Sequence, residues 1–312
     1  MARWTAADIP DLSGQVMVVT GANSGLGLAS TKALAAKGAL VVMGCRDAAR
    51  AEEAASSVKQ AVPDAKLDVR ALDLAALDSV ARFAAEVTSA YGRIDVLMNN
   101  AGVMALPRTL TKDGFEAQLG TNHLGHFALT LRLLPTLEAA ARPRVVTVAS
   151  TAHRWGRIDF DDLMGERRYA PWAAYGQSKL ANLLFAYELE RRLRALGKKT
   201  LSVAAHPGYA ATNLQGVGPR LTGAHFNAWL MNAGNALLAM APDQGALPQL
   251  YAATSPDARG GGYYGPDGLF ELRGWPKEVD SNAASKDEAA ARRLWEVSER
   301  LTGVGLAQAS LS

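Results

Sequence analysis

Residues 16–27 read VMVVTGANSGLG, an apolar run that leads through a glycine-rich turn into a helix-like segment. The run lacks helical spacing, so it predicts a strand buried on both faces. Glycines let the backbone approach a phosphate closely, and the free N–H groups at a helix start attract an anion. Because the turn joins a strand to a helix, it predicts dinucleotide binding rather than a purely structural turn. Its candidate cofactor contacts are Gly21, Asn23, Ser24, Gly25, Leu26 and Gly27.

Strand-like and helix-like segments alternate along the chain beyond this turn. Further short apolar runs lie at 40–43, 69–72, 94–98, 145–148 and 201–204. Segments with helical spacing of apolar residues lie at 25–36, 48–60, 75–91, 115–134 and 175–196, with another at 286–301. Parallel strands need crossover connections, so the alternation predicts an α/β fold: a Rossmann-type, doubly wound parallel sheet of about seven strands with helices on both faces. No repeat or linker divides the chain, which predicts a single domain over 1–312.

Composition excludes several classes of protein. The 312 residues include 33 Lys plus Arg and 30 Asp plus Glu, a formal charge of +3, and 49% are hydrophobic, as in ordinary globular proteins. The basic residues are scattered, so no nucleic-acid partner is expected. A single cysteine, Cys45, forms no internal disulfide, and the N-terminal segment has no export signal. These features predict a cytoplasmic protein.

One uncharged segment, 221–242, is long enough to cross a bilayer. Its asparagines, His225 and glycines would be buried without partners there, so an integral membrane segment is not expected. The segment is predicted to be an apolar flap over a pocket, with loose contact to a membrane surface as the alternative.

The end of the second predicted strand bears on the choice of cofactor. An NAD-binding chain usually places an acidic residue there to hold the ribose hydroxyls, whereas this chain has Cys45 and Arg46. The charged fork of Arg46 suits a 2′-phosphate, and Asp47 suits the cap of the following helix. The sequence therefore predicts NADP(H), with NAD(H) left open.

Three further residues form a candidate catalytic set. Ser150 follows the fifth predicted strand, and Tyr175 and Lys179 stand four apart on one face of a helix. A phenol has a pKa of about 10, so it needs a nearby cation to exchange protons near neutral pH. A Tyr–Lys pair alone is more typical of ordinary packing, a packed ring beside a solvated amine, but together with Ser150 and the glycine turn it indicates catalysis.

These motifs resemble the classical short-chain dehydrogenase/reductases over residues 14–212. The resemblance implies that this range is the cofactor-binding and catalytic core, that 213–275 shapes the substrate pocket, and that 276–312 forms a C-terminal helix and tail. It also implies further cofactor contacts at Asp73, Leu74, Asn100, Ala101, Gly102, Pro207, Gly208 and Thr212, besides Tyr175 and Lys179.

A closer resemblance is to the retinol dehydrogenase-like and protochlorophyllide reductase-like branch, in the stretches TNHLGHF at 121–127 and STAH at 150–153. It implies hydride transfer between a nicotinamide and an alcohol or carbonyl, with a retinoid-, steroid- or fatty-aldehyde-like substrate. Tyr175 would exchange the proton, Ser150 would orient the reacting oxygen, Lys179 would stabilise the phenolate and contact the ribose, and Asn122 would hold a water. The aromatic residues between Ser150 and Tyr175 either line an apolar pocket or pack an inserted loop; they are Trp155, Phe160, Tyr169 and Trp172.

Other interpretations remain beside this one. A non-catalytic NADP(H)-binding sensor or interaction subunit would share the fold, although the complete catalytic set argues against it. An epimerase of the extended type would need more residues after Thr212. No paired ligand motif occurs among the histidines, so no metal is expected. Relatives of the family often pair through helices corresponding to 115–134 and 175–196, so a homo-oligomer is possible, and the direction of reaction is open.

Overall fold

The computed structural model describes residues 3–208 and 240–306 of the protein. They contain one eight-stranded sheet, flanked by helices. The strands are β1 (Val16–Thr20), β2 (Leu40–Cys45), β3 (Lys66–Ala71), β4 (Val96–Asn99), β5 (Arg144–Val148), β6 (Leu201–Ala205), β7 (Tyr263–Pro266) and β8 (Pro276–Glu278). The helices are α1 (Gly25–Ala35), α2 (Ala48–Ala61), α3 (Leu77–Tyr91), α4 (Ala117–Leu119), α5 (Gly125–Glu138), α6 (Pro171–Ala195), α7 (Pro242–Gly245), α8 (Leu247–Thr254) and α9 (Glu288–Thr302).

The sheet has the order β3-β2-β1-β4-β5-β6-β7-β8. Its first seven strands are parallel, which confirms the predicted doubly wound architecture, and β8 runs antiparallel to β7. The sheet has eight strands rather than about seven. The additional strand, Pro276–Glu278, has three residues and contains no apolar run, so the hydrophobic pattern gave no sign of it.

The strands β1, β2 and β4 to β7 are buried on both faces, as their uninterrupted apolar runs predict, whereas the edge strands β3 and β8 are partly exposed. In β1, Met17 and Val19 belong to a core layer under α1, α2 and α8, whereas Val18 belongs to the layer on the opposite face. That second layer packs α3, α5, α6 and α9 against the sheet. Because every parallel strand points the same way, the residues after β1, β4, β5 and β6 meet at one edge of the sheet.

The predicted helix at 115–134 is the least regular of the set. It begins as the short helix α4, continues as a π-helical turn at Gly120–Leu124, and becomes α-helical only from Gly125 to Glu138. In the π turn the N–H of Gly125 donates to the carbonyl of Gly120, five residues earlier. Such turns are rare and occur often at functional sites.

A membrane crossing was not expected from the sequence. Within residues 3–208 and 240–306, no helix combines the length and apolarity that spanning a membrane requires. The predicted flap at 221–242 lies, up to residue 239, outside the described residues.

The C-terminal helix α9 closes one face of the core through Trp295. The indole is fully buried, lies 5.0 Å from the Phe127 ring and 6.0 Å from the Phe185 ring, and carries the Arg192 guanidinium 4.5 Å above its own ring. A buried aromatic residue in such a layer contributes both apolar burial and ring contacts.

Replacing this anchor tests the packing. Trp295→Ala is expected to lower the free energy of unfolding by about 3–5 kcal/mol, because a large cavity would open between α5, α6 and α9. Urea denaturation measures the effect, and Glu296→Ala, on the exposed face of the same helix, is the matched control. A loss for Trp295→Ala no larger than that of the control would contradict the packing.

Candidate active site

The glycine-rich turn after β1 has a backbone that only glycine tolerates at two points. Gly21 and Gly25 have φ of +65° and +51°, in the left-handed region. A Cβ on Gly27 would lie 2.2 Å from the carbonyl oxygen of Gly21, so α1 can begin this close to the strand only without a side chain there. Ser24 is the N-cap of α1 but makes no side-chain capping bond. The turn thus has the glycine backbone and the helix start that a phosphate site requires, and its individual cofactor contacts stay predictions.

The adenosine side of the site lies after β2. Cys45 is buried, and burial raises the pKa of its thiol to about 11, so it is a small neutral side chain. Asp47 caps α2 by accepting from the N–H of Arg50 at 3.1 Å, as expected. Arg46 is exposed, and within the described part of the chain it has no hydrogen bond or ion pair. Its guanidinium is available to an anionic group of a cofactor.

Asp73 and Leu74 follow β3 at the same edge of the sheet. The Asp73 carboxylate accepts from the N–H of Ala75 at 3.1 Å, while its own N–H donates to Ser79 Oγ at 3.0 Å. The carboxylate therefore stabilises the local turn. Leu74 is buried, and its carbonyl would lie 2.4 Å from a Cβ on Gly125, so this turn packs directly on the start of α5.

The segment after β4 is held by Thr20, the last residue of β1. The N–H groups of Asn100 and Ala101 both donate to Thr20 Oγ1 at 2.9 Å, and the Asn100 amide donates to the Thr20 carbonyl at 2.8 Å. The Asn100 side-chain oxygen accepts from Gln249 of α8 at 3.1 Å. Two cofactor-contacting segments, the turn after β1 and the segment after β4, are thereby fixed to each other.

Ser150, Tyr175 and Lys179 converge at the carboxyl end of β5. Ser150 Oγ accepts from the N–H of Ala152 at 3.2 Å, and the Ser150 hydroxyl lowers the pKa of the neighbouring Tyr175 phenol. Lys179 donates to the carbonyl of Val148 at 3.0 Å, and its ammonium lies 5.8 Å from the centre of the Tyr175 ring. Both Tyr175 and Lys179 are buried. The structure therefore brings together all three residues of the predicted catalytic set.

Burial, rather than the neighbouring cation, dominates the electrostatics of this set. Burial raises the pKa of Tyr175 to about 12, opposed by the hydrogen bond with Ser150, and lowers the pKa of Lys179 to about 8. The cost of burying the charged phenolate is the largest influence on the Tyr175 pKa, and the expectation that Lys179 stabilises the phenolate stays a prediction. The phenol is therefore held neutral, which suits it to donate a proton.

Asn122 lies in the π turn beside this set. Its amide nitrogen donates to the Val103 carbonyl and to Ser178 Oγ, both at 2.9 Å, and its amide oxygen accepts from the Val103 N–H at 2.8 Å. A Cβ on Gly102 would lie 3.1 Å from that oxygen and 3.7 Å from Lys179 Nζ. The amide nitrogen thus donates to the segment after β4 and to Ser178 of α6, and binding of the predicted water stays a prediction.

The described part of the segment after β6 ends at Gly208. The N–H of Gly208 donates to His206 Nδ1 at 3.2 Å, and Gly208 has a φ of +70°. A Cβ there would lie 2.6 Å from the Leu272 carbonyl, so the segment packs against the loop between β7 and β8. Pro207 lies within this described segment, whereas Thr212 is outside the described residues.

The aromatic residues between Ser150 and Tyr175 were expected either to line an apolar pocket or to pack an inserted loop, and the structure divides them between these two roles. Trp172 is half-exposed and its ring lies 6.1 Å from that of Tyr175, so it stands at the mouth of the site. Trp155 packs over Gly176 of α6. Phe160 packs beneath the Arg293 guanidinium, and the Tyr169 hydroxyl donates to the Leu106 carbonyl, so these two serve the packing of the loop.

His126 is not among the site residues that the sequence predicted. The imidazole is buried between Thr20 and the π turn, four residues after Asn122. That spacing on a helix was the one available signal. No group of three or more His, Cys, Asp or Glu side chains suited to a metal occurs in the described ranges.

The comparisons with known proteins agree with this geometry. The family model described as short chain dehydrogenase matches residues 15–218. Retinol dehydrogenase 14 of Mus musculus is 41% identical over 94% of this chain and 87% of its own length, and polyprenol dehydrogenase of Mus musculus is 40% identical over 95% and 86%. A solved protein from Mycobacterium paratuberculosis is 45% identical, with a TM-score of 0.81 over 98% of this chain and 99% of its own.

The chain belongs to the short-chain dehydrogenase family. Within that family it is retinol dehydrogenase-like, as the TNHLGHF and STAH stretches indicated. Short-chain dehydrogenases are oxidoreductases that act on alcohol or carbonyl groups of small molecules with a nicotinamide cofactor. The partly buried Ser150 and the buried Tyr175 and Lys179 lie at the sheet edge that also carries the glycine-rich turn.

The pKa of Lys179 predicts how a short-chain dehydrogenase reaction here depends on pH. Below about pH 8 the amine is charged, and above that value it loses its proton, so carbonyl reduction is expected to be level at lower pH and to fall above about pH 8. Measuring kcat/KM for an aldehyde across this range tests it, with Lys179→Arg as the variant that keeps the charge and moves the fall upward. A profile level to the ordinary lysine pKa of 10.5 would contradict the assignment.

Proposed function

We propose that the protein is an NADP(H)-dependent oxidoreductase that transfers a hydride between the nicotinamide and an apolar alcohol or carbonyl compound of retinoid, steroid or fatty-aldehyde type. The observation that carries the proposal is the convergence of Ser150 with the buried Tyr175 and Lys179 at the strand edge that also bears the glycine-rich turn. A nucleotide held at that turn would place its reactive ring toward this set.

The residues fit such a cofactor in shape and in charge. The absence of a side chain at Gly27 lets α1 begin close to the end of β1, so the N–H groups at the start of α1 lie at the turn, and Arg46 stands beyond the end of β2. The chemistry that the bound nicotinamide supplies is transfer of a hydride to or from carbon. The protein's own groups supply orientation, proton transfer and exclusion of water.

Each catalytic residue has one task in carbonyl reduction. Ser150 donates a hydrogen bond to the substrate oxygen and orients it, and Tyr175 donates its phenolic proton to the same oxygen. The neutral phenol that burial favours is the form required for this step. Charged Lys179 then stabilises the phenolate that remains. In alcohol oxidation the same proton moves in reverse, and the phenolate must be present first.

The preference for NADP(H) rests on two side chains after β2. Cys45 is uncharged and buried, so it offers no carboxylate to a ribose diol. Arg46 carries a positive charge that no described residue neutralises, and a guanidinium pairs well with a phosphate.

The preference for an apolar substrate rests on the mouth of the site and on the relatives. Trp172 extends apolar surface beside Tyr175, and the loop between β7 and β8 presents Leu269 and Phe270 to solvent. The relatives named retinol dehydrogenase and polyprenol dehydrogenase have names that specify apolar alcohols. Homo-oligomerisation and a cytoplasmic location stay predictions.

Removing the proton donor tests catalysis against the non-catalytic alternative. Tyr175→Phe is expected to lower kcat for NADPH-dependent reduction of all-trans-retinaldehyde or a long-chain aldehyde by about 100-fold or more, while NADPH binding is retained. Tyr187→Phe, farther along α6 and hydrogen-bonded to Ser281, is the matched control and should keep full activity. If the wild-type protein binds NADPH but reduces no apolar aldehyde, ketone or quinone, the result would favour the non-catalytic sensor.

Removing the positive charge of Arg46, which follows β2, tests the proposed preference for NADP(H). Arg46→Ala is expected to weaken NADPH binding by roughly 2 kcal/mol, about 30-fold in Kd, and to leave NADH binding unchanged. Fluorescence titration of each reduced cofactor measures both constants. Arg50→Ala, four residues away and paired with Asp47, is the control. Equal losses for NADPH and NADH, or none for either, would refute the role of Arg46.

A further inference from the structure

His126 occupies a buried position between the cofactor-contacting strand ends and the catalytic asparagine. Its Nδ1 lies 3.0 Å from the backbone carbonyl of Asn122, and its Nε2 lies 2.9 Å from Thr20 Oγ1. The side chain is almost completely buried, so no bulk solvent competes for either nitrogen. Nothing in the catalytic steps above uses this residue.

The two partners determine which nitrogen carries the proton. A carbonyl oxygen only accepts, so Nδ1 must be the donor to Asn122, and in a neutral ring Nε2 is then an acceptor. Thr20 Oγ1 already accepts the N–H groups of Asn100 and Ala101, so its own proton remains for Nε2. The Thr20 hydroxyl also lies 3.3 Å from the Met98 carbonyl, a second acceptor for its proton, so the Asn122 carbonyl is the partner that fixes the proton on Nδ1. Burial lowers the His126 pKa to about 4, which keeps the ring neutral.

Each end of the network leads to a different part of the reaction. Through Thr20 the ring supports Asn100 and Ala101, which contact the cofactor according to the family resemblance. Through Asn122 it supports the π turn whose amide holds Ser178, the neighbour of Lys179 on α6. The His126 imidazole thus joins the Thr20 hydroxyl to the Asn122 carbonyl, with one hydrogen bond at each ring nitrogen.

We infer that His126 is a positioning residue of the oxidoreductase, which as a neutral Nδ1–H imidazole fixes the catalytic π turn of Asn122 to the cofactor-contacting ends of β1 and β4. The inference rests on the proposed function for its effect on turnover. It rests on hydrogen-bond geometry alone for the tautomer. The Nδ1–H tautomer is the less common one for a free imidazole, so observing it is informative.

The tautomer is tested without any substrate. Long-range ¹H–¹⁵N spectra of the full chain, with the His126 signals assigned by their loss in His126→Asn, should show protonated Nδ1 and unprotonated Nε2 with and without NADPH. The signals should not titrate near the ordinary histidine pKa of 6.5. A proton on Nε2, or titration near that value, would overturn the inference even if the enzyme is active.

Two amide variants separate the two hydrogen bonds that the His126 ring makes. The amide nitrogen of His126→Asn can replace Nδ1 and keep the bond to Asn122, whereas the amide oxygen of His126→Gln can replace Nε2 and keep the bond to Thr20. We expect His126→Asn to weaken NADPH binding about tenfold with kcat nearly retained, and His126→Gln to lower kcat for retinaldehyde about tenfold with NADPH binding retained, each the loss of one buried hydrogen bond.

A merely structural role gives a different pattern. Both variants would then lower the unfolding midpoint while folded protein kept wild-type NADPH binding and kcat, and that result would overturn the inference, as would equal loss of both functions in both variants. If wild-type protein binds NADPH but reduces no aldehyde, the proposed function fails, while the NADPH titrations and the tautomer still decide whether His126 supports Thr20 and Asn122.

Discussion

The hydroxyl of Thr20 is the point on which the arrangement of the site depends. It accepts the N–H groups of Asn100 and Ala101, which follow β4, and it pairs with His126, which contacts the turn of Asn122. One oxygen atom therefore links the ends of β1 and β4 and, through His126, the turn of Asn122. Adjacent parallel strands bring their carboxyl ends to one edge, but they leave the following segments without ladder partners. Thr20 supplies those partners, and the cofactor-contacting segments acquire a fixed separation as a result.

The second constraint is the burial of a phenol and an amine next to each other. Burial disfavours both charged forms, raising the pKa of Tyr175 to about 12 and lowering that of Lys179 to about 8. A proton therefore resides on the phenol, which is the form that can donate it to a carbonyl oxygen. Alcohol oxidation requires additional positive charge near the phenol, and an oxidised nicotinamide ring carries one.

Local sequence was sufficient for the sheet and for the identity of the catalytic set. The glycine turn at 21–27 and the Tyr175–Lys179 spacing are short-range patterns, and the structure brings them to one edge through the parallel topology. What could not be predicted depends on contacts between distant segments. β8 is defined by pairing with β7, the balance of the Tyr175 pKa depends on burial, and the amide of Asn122 is committed to Val103 by the packing of two loops.

The π turn explains why the two histidines of the TNHLGHF stretch have opposite surroundings. His126 faces the sheet and pairs with Thr20. His123 faces the C-terminal helix α9, where its Nε2 lies 2.9 Å from Ser298 Oγ, and its ring meets Phe185 edge-on. The turn that carries Asn122 is therefore held from both sides, by the cofactor-contacting strand ends and by α9. A turn with five-residue hydrogen bonding is less stable than a regular helix, so tertiary contacts must maintain it. The C-terminal helix, although distant from the catalytic residues in sequence, thereby belongs to the structure that orients them.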